Sequence, residues 1–155
     1  MNDTIQDIIS HVGLDATSIT KSPHKTGVSL EIPKTRLLKL IEYTLKRTDY
    51  THLITITCID HGNELELCYH LTNGPLIITV RTKLPYSQLI ITTLTDLAPG
   101  ASLYEREIHD LFGVTFEGHP NLAPLLLPDN WPKNVHPLRK KWTLDQIQSA
   151  VDKQD

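Results

Sequence analysis

The 155-residue sequence is short of cysteine, of excess positive charge and of long apolar runs. Its two cysteines cannot alone make a four-thiolate zinc or iron–sulfur site. Fifteen lysines and arginines stand against 18 acidic residues, whereas nucleic-acid binding needs clustered positive charge. No apolar run approaches the roughly 20 residues that span a bilayer. These shortages argue against an iron–sulfur carrier, a nucleic-acid-binding protein and a transmembrane protein.

The beginning of the sequence also lacks the features of a secretory signal. Asp3 stands where a signal peptide carries bases, and no apolar segment follows it. The length suits one compact domain with a real core. We therefore expect a soluble, intracellular protein of one domain.

Apolar periodicity predicts an α+β fold, a small and mostly antiparallel sheet flanked by helices. Helical spacing indicates helices over 3–12 and 34–48. A capping box from Ser102 to Glu105 opens a third helix, and Gly113 ends it. Alternating apolar residues predict strands over 27–32, 52–60, 64–72 and 75–82, and residues 89–91 suggest a further short strand.

The link Asn73-Gly74 between two of these strands is the strongest two-residue hairpin signal in the sequence. A loop of those two residues places Leu71 opposite Leu76 and, by the same register, Tyr69 opposite Ile78 and Leu67 opposite Val80. All three pairs are apolar, so the turn and the face pattern agree on one register.

The preceding link, around His61-Gly62-Asn63, leaves two registers open. In one of them Cys58 faces Leu65, and in the other it faces Leu67. In both, Cys58 lies on the apolar face of the sheet and Cys68 on the opposite face. We therefore expect two reduced thiols and no disulfide.

Proline is concentrated near the C-terminus, with five of the ten prolines in 120–137. Proline at this density prevents a helix and removes ladder donors, so we predict an extended segment over residues 114–142, called the arm below. A globular domain over 1–113 precedes it, and a short helix in 143–155 follows. The arm holds both tryptophans and several leucines. These side chains must pack on the chain's own domain or on another protein, and the sequence leaves both alternatives open.

The third predicted helix carries four charged residues, Glu105, Arg106, Glu107 and Asp110. Paired carboxylates can act in general acid–base catalysis, but this spacing favours structural ion pairs. Arg106 and Asp110 are four residues apart and can pair, and Glu107 lies beside the apolar face. A stand-alone enzyme that uses Glu105, Glu107 and Asp110 is the alternative.

The eight histidines show no spacing typical of a zinc site, although a free metal-binding module stays a further alternative. His119 and His136 each precede a proline, and we predict that their rings hydrogen-bond to hold the arm. We find no catalytic residue, no metal-ligand set and no cofactor-binding motif in the sequence.

Four runs in the C-terminal half carry a resemblance to a known family. They are Tyr104-Glu105-Arg106-Glu107-Ile108-His109-Asp110-Leu111-Phe112-Gly113, Phe116-Glu117-Gly118-His119-Pro120, Leu125-Leu126-Leu127-Pro128-Asp129-Asn130-Trp131 and His136-Pro137-Leu138-Arg139-Lys140. Together they resemble the signature of the 30 kDa subunit of respiratory complex I, which is also known as the C subunit of NADH-quinone oxidoreductase. The same module occurs in energy-converting membrane-bound NiFe hydrogenases and in methanogen F420H2 dehydrogenases.

The resemblance implies an accessory subunit in the hydrophilic arm of an oxidoreductase complex, with no active site and no bound cofactor of its own. NiFe and iron–sulfur centres would lie in its partners, which are a hydrogenase-like large subunit, a small iron–sulfur subunit and a ferredoxin-like iron–sulfur subunit. The chain would sit peripherally on the cytoplasmic side of the cell membrane, without a membrane span and without nucleic acid.

Two departures from quinone-linked members favour the hydrogenase branch. Many of those members carry a basic residue where this chain has Ala123 or Pro124, and many read Asp-Tyr where it has Lys141-Trp142. The linker 131–135 is also similar to the hydrogenase branch. The resemblance thus implies a hydrogenase that couples ferredoxin oxidation and H2 evolution to ion translocation. The alternative is the equivalent C subunit of NADH-quinone oxidoreductase or of F420H2 dehydrogenase.

The residues that we expect to contact partner subunits lie in the arm: Phe116, His119, Pro120, Leu125, Leu126, Leu127, Pro128, Trp131, His136, Pro137, Leu138, Arg139 and Lys140. The prolines restrict the unbound arm and so reduce the ordering cost of association. The charged helix would make the root of the arm rigid.

Overall fold

A computed structural model describes residues 2–13, 19–21 and 27–153 of the chain. The ends of the predicted domain 1–113 and of the predicted segment 143–155 therefore include residues outside the described ones. Along the chain the elements are α1 Asn2–Val12, β1 Ile19–Lys21, β2 Gly27–Glu31, α2 Lys34–Arg47, β3 His52–Asp60, β4 Glu64–Thr72, β5 Ile77–Pro85, β6 Ile90–Thr92, α3 Ala101–Phe112, β7 Thr115–Glu117 and α4 Leu144–Val151. The predicted α+β class is confirmed.

Five strands form the main sheet in the order β1-β2-β5-β4-β3. All neighbours run antiparallel except β2 and β5, which are parallel. The short strands β6 and β7 pair in parallel as a second, two-stranded sheet. No described helix has both the length and the apolar character that a membrane crossing requires.

One face of the main sheet forms the core of the protein. Alternate residues of β4 point into it, and apolar stripes of α1, α2 and α3 cover them, because helical spacing gives each helix one apolar side. The side chains of this core include Ile8, Leu40, Leu65, Leu67, Tyr69, Leu71, Ile78 and Ile108. The opposite face of the sheet carries ion pairs such as Arg81–Glu66 and exposed side chains such as Ile59.

The β3–β4 hairpin takes the second of the two registers that the sequence left open. Cys58 pairs with Leu67, and Gly62 and Asn63 form the loop. Gly62 has a φ of +92°, which glycine adopts without strain at the first position of such a turn. Cys58 and Cys68 are both unbonded and belong to opposite faces, so the prediction of no disulfide is confirmed.

The predicted register of the β4–β5 hairpin is wrong by two residues. Leu71 pairs with Ile78, and Tyr69 with Val80, because the loop spans four residues, 73–76, instead of two. The Asn73 side chain accepts a hydrogen bond from the Leu76 amide at 3.1 Å, which closes the wider loop. The shift is even, so the side chains expected in the core still face it.

A β-bulge in β3 changes which residues of that strand are buried. The register shifts between Leu53 and Thr55. Leu53 therefore faces the core in place of Ile54, which strict alternation with Cys58 would put on the apolar face and which is 36% exposed.

Candidate functional site

Helix α3 is the element on which the arm is built. It ends at Gly113 as predicted, where a φ of +72° lets the Gly113 amide bond the His109 carbonyl oxygen at 2.8 Å. The next residues form β7, and Phe116 at its centre is buried at 2% exposure. The first part of the arm is thus a strand of the small sheet, and the irregular part begins at Gly118.

Asp110 holds the middle of the arm through backbone groups. One of its carboxylate oxygens, Oδ2, accepts hydrogen bonds from the amides of Leu125, Leu126 and Leu127, at 2.7, 2.8 and 3.3 Å. The Asp110 residue is only 5% exposed. Three successive amides around one oxygen form an anion-binding nest, and here the anion is a side chain of the same protein.

Arg106 holds the segment just before these leucines. Its guanidinium donates to the carbonyl oxygens of Ala123 and Pro124, at 2.9 and 2.7 Å. The predicted ion pair between Arg106 and Asp110 is wrong, because both side chains form hydrogen bonds with the backbone of the arm instead. Glu107 is exposed, so its predicted place beside the apolar face is wrong as well.

Glu105, which the sequence assigned to a capping box, is the more deeply buried of the two buried acids of α3. Helix α3 instead begins after Gly100, without a side-chain cap. The Glu105 carboxylate, 0% exposed, accepts hydrogen bonds from the Thr93 hydroxyl and from the Leu94 amide, the latter at 2.7 Å. Burial raises the pKa of Glu105, and these bonds only partly offset that effect. Glu105 thus ties α3 to the segment after β6.

The four charged residues Glu105, Arg106, Glu107 and Asp110 of α3 face different surroundings. Glu105 points into the core, Arg106 and Asp110 point to the arm, and Glu107 points to solvent. The structure therefore does not bring Glu105, Glu107 and Asp110 together as an acid–base group. Within the described ranges, no three His, Cys, Asp or Glu side chains are arranged as metal ligands.

Asp60 holds the far end of the arm, and sequence analysis missed it. Its carboxylate accepts hydrogen bonds from the Tyr86 hydroxyl, from the Gly62 amide at 2.7 Å and from the Lys140 amide at 2.7 Å. The guanidinium of Arg139 lies 5.5 Å above the Tyr86 ring. An available signal was that Asp60 falls in phase with the apolar face of β3, where an acid needs several donors.

Both arm histidines bond the body of the protein, as predicted. The His119 ring accepts from the Asn121 amide at 3.0 Å and donates from Nε2 toward Ser102, with 3.2 Å to its carbonyl oxygen. His136 donates from Nδ1 to the Asp110 carbonyl oxygen at 2.9 Å. Burial lowers the pKa of His136.

The apolar side chains of the arm are exposed to very different extents. Val135 is buried at 5%, and the Trp131 indole donates to the Val135 carbonyl oxygen at 2.7 Å. Of the predicted contact residues, Leu127, His136, Pro137 and Arg139 are half-buried, and Pro120, Pro128 and Lys140 are exposed. The exposed leucines of the arm are Leu125 at 37%, Leu126 at 56% and Leu138 at 53%, and Leu144, at the start of α4, is 84% exposed.

Comparison with known proteins identifies this architecture. The family model described as the respiratory-chain NADH dehydrogenase, 30 Kd subunit, matches residues 30–148. The NADH-quinone oxidoreductase C subunit of Moorella thermoacetica is 35% identical over 120 residues, which are 75% of this chain and 80% of that protein. The F(420)H(2) dehydrogenase C subunit of Methanosarcina mazei is 30% identical over 109 residues, 65% of this chain and 69% of that one.

Solved structures share the fold. One belongs to the membrane-bound sulfane sulfur reductase, an archaeal respiratory membrane complex, with a TM-score of 0.78, 23% identity, and coverage of 92% of this chain and 85% of that one. Another is a trypsin-resistant fragment of Nqo5, with a TM-score of 0.63, 22% identity, and coverage of 76% and 98%. By sequence, the chain belongs to the family of the 30 kDa subunit of respiratory-chain NADH dehydrogenase, whose relatives above are subunits of oxidoreductase complexes.

Proposed function

We propose that this chain is a non-catalytic subunit in the hydrophilic arm of a membrane-bound, complex I-like oxidoreductase, and that its arm joins the other subunits. In this proposal residues 1–113 support the interaction arm 114–142, and 143–155 form a terminal helix. The chain itself binds no cofactor. Its partners are a large subunit and iron–sulfur subunits on the cytoplasmic side of the cell membrane.

The supporting observation is that the body binds the backbone of the arm and leaves several of its leucines exposed. Asp110 and Arg106 bind its main chain, and Leu125 and Leu126 are 37% and 56% exposed. A fixed backbone with exposed leucines loses little conformational freedom when a partner covers it. Complete burial of an exposed leucine is worth about 1.5–3 kcal/mol, and covering the exposed part of each of these two contributes a fraction of that.

The branch that we propose is a NiFe hydrogenase that couples ferredoxin oxidation and H2 evolution to ion translocation. Ala123 and Pro124 support it, because they occupy positions where many quinone-linked members carry a base. Here the carbonyl oxygens of both residues accept from Arg106. The similarity to the C subunits of the Moorella and Methanosarcina complexes favours the second candidate, a C subunit of NADH-quinone oxidoreductase or of F420H2 dehydrogenase.

The assembly role is tested by purifying the tagged chain from its own membranes. The double variant Leu126→Ser, Leu138→Ser should lower the yield of co-purifying subunits at least about tenfold, since two interface leucines are lost. Ile59→Ser is the matched control, because Ile59 is 45% exposed on the sheet face away from the arm. Equal retention of partners by the double variant and the wild type would refute the proposal. Trp131 is less suitable for this test, because its indole also supports the loop around Val135.

The branch is tested on the same purified complex. A large subunit with four nickel-binding cysteines, together with H2 evolution from reduced ferredoxin, would support the hydrogenase. Oxidation of NADH or F420H2 by a complex without those cysteines would support the second candidate and leave the assembly role intact.

A further inference from the structure

The irregular part of the arm is attached to the body mainly by hydrogen bonds and little by apolar packing. Between residues 118 and 142 only Pro132 and Val135 are buried. Against this stand the hydrogen bonds that Asp110 accepts from three arm amides near one end and the bond that Asp60 accepts from the Lys140 amide at the other. Both carboxylates belong to residues that are 5% exposed and that lie on the body.

We infer that residues 118–142 open from the body as one unit, and that the carboxylates of Asp110 and Asp60 are the two clasps that keep this unit closed. When the arm lifts, its amides and these carboxylates exchange their mutual bonds for bonds to water. The buried core under the main sheet stays in place, since Leu122 is the one residue of this unit that packs against it, and it is only partly buried. Opening therefore requires less free energy than unfolding of the body, which is the condition for a separate cooperative unit.

The connections between the clasps explain why the unit opens as a whole. The Leu138 amide donates to the Leu111 carbonyl oxygen at 3.2 Å, and Arg139 donates to the Phe112 carbonyl oxygen at 2.6 Å. Together with His136, these bonds run along the C-terminal turn of α3, between the Asp110 clasp and the Asp60 clasp. Loss of the Asp60 clasp therefore frees the C-terminal end of this unit. The remaining contacts can then break one after another from that end.

Acid should open this unit. The groups that face Asp60 are Tyr86 from the loop after β5, Lys140 and Arg139 from the arm, and Cys58 from its own strand. Burial alone would raise the pKa of Asp60, but the bonds from Tyr86, Gly62 and Lys140, with the charge of Lys140, hold it below its usual value. The clasp is therefore complete above the ordinary carboxyl range and is lost as the pH falls through that lowered pKa.

The test uses the full chain and the substitution Asp60→Asn. One oxygen remains for Tyr86 and Gly62, but an amide group now faces the Lys140 amide, so a donor meets a donor. We expect hydrogen exchange of the Leu125, Leu126 and Leu127 amides to become at least about tenfold faster, while the amides of β4 and β5 keep their protection. Trp131 and Trp142, the two tryptophans of the chain, should report the opening by fluorescence.

Two further variants make the result decisive. Lys140→Pro removes the donor from the arm side, at the second position of the turn that the Trp142 amide closes on the Arg139 carbonyl oxygen, a position that favours proline. It should give the same acceleration even if Asp60→Asn does not fold. Asp129→Asn, an equal charge change at an exposed arm residue, should leave exchange unchanged. Acceleration confined to residues near Lys140, or equal loss of protection in arm and body, would overturn the inference.

Discussion

Gly113 is the residue at which the chain leaves α3 for the arm, and both its conformation and its neighbours oppose a side chain there. Its φ is +72°, and a Cβ built there would overlap His136 Nε2 and lie 2.6 Å from an Arg139 guanidinium nitrogen. Gly113→Ala should therefore lower the free energy of unfolding by about 1–2 kcal/mol from the left-handed backbone alone, and by more from the displaced arm. Urea unfolding measures this loss. Gly100→Ala, with a φ of −61° and open space around it, should change stability by no more than about 0.5 kcal/mol.

His136 should make the stability of the protein depend on pH in weak acid. Burial is the main cause that lowers its pKa, so the folded state binds a proton there less readily than the unfolded chain. Its contribution is present above the ordinary histidine pKa of about 6.5 and decreases as the pH falls from there toward the lowered folded value. Urea midpoints from about pH 8 to about pH 5 should show a smaller pH slope in His136→Asn, whose amide can still donate to Asp110. An unchanged slope in that variant, or the same reduction in the exposed His52→Gln, would contradict the assignment.

At the scale of elements, the sequence predicts which faces are buried better than it predicts how elements are aligned. Alternation placed Leu65, Leu67, Tyr69 and Leu71 correctly, because burial of one sheet face forces period-two patterning. The β4–β5 register was wrong since Asn73 bonds the Leu76 amide and supports a longer loop than its Asn-Gly pair indicates. The bulge near Ile54 could not be predicted, because the apolar alternation of the sequence continues through it.

Helix α4 has strong local signals and little burial, since Ile147, Ala150 and Val151 are only half-buried. Thr143 and Gln146 form both bonds of a capping box, yet no α4 residue is buried. Thr143→Ala should cost the helix about 1 kcal/mol locally, so the amides of α4 should exchange faster. The melting temperature of the whole chain should not change, because nothing in the core depends on α4. Ser149→Ala, an exposed mid-helix position, should slow that exchange slightly; a lower melting temperature in Thr143→Ala would show that α4 is part of the core.

At the scale of the whole molecule, the two thiols should react only when the body unfolds. Burial raises the pKa of Cys58 to about 12 and also raises that of Cys68, on the other face of the sheet. At about pH 8 the Cys58 thiolate is then roughly one part in ten thousand. Iodoacetamide should therefore label neither cysteine in native buffer and both in guanidinium chloride, as mass spectrometry would show. A thiol that reacts in native buffer would mean that its strand opens independently.

The candidate site was only partly predictable because its contacts join distant parts of the chain. The arm could be located from its prolines, and the roles of His119 and His136 follow from their positions beside them. The partners of Asp110 and Asp60 are backbone amides, which nearly every residue has and no sequence pattern marks. A spacing rule for α3 alone consequently paired Arg106 with Asp110, whereas both side chains bind the arm.

The parallel pairing of β2 with β5 has a consequence for the order in which the protein matures. Gly27 pairs with Ile77, and the chain between these two residues contains α2 and the β3–β4 hairpin. The antiparallel strands β3, β4 and β5 close short loops and can assemble soon after they emerge from the ribosome. Strand β2 can complete its place in the sheet only after β5 has been made, and Lys140, which is made later still, must then reach back to Asp60. A nascent chain that stops before residue 140 therefore holds a finished sheet whose Asp60 has not yet met its final donor.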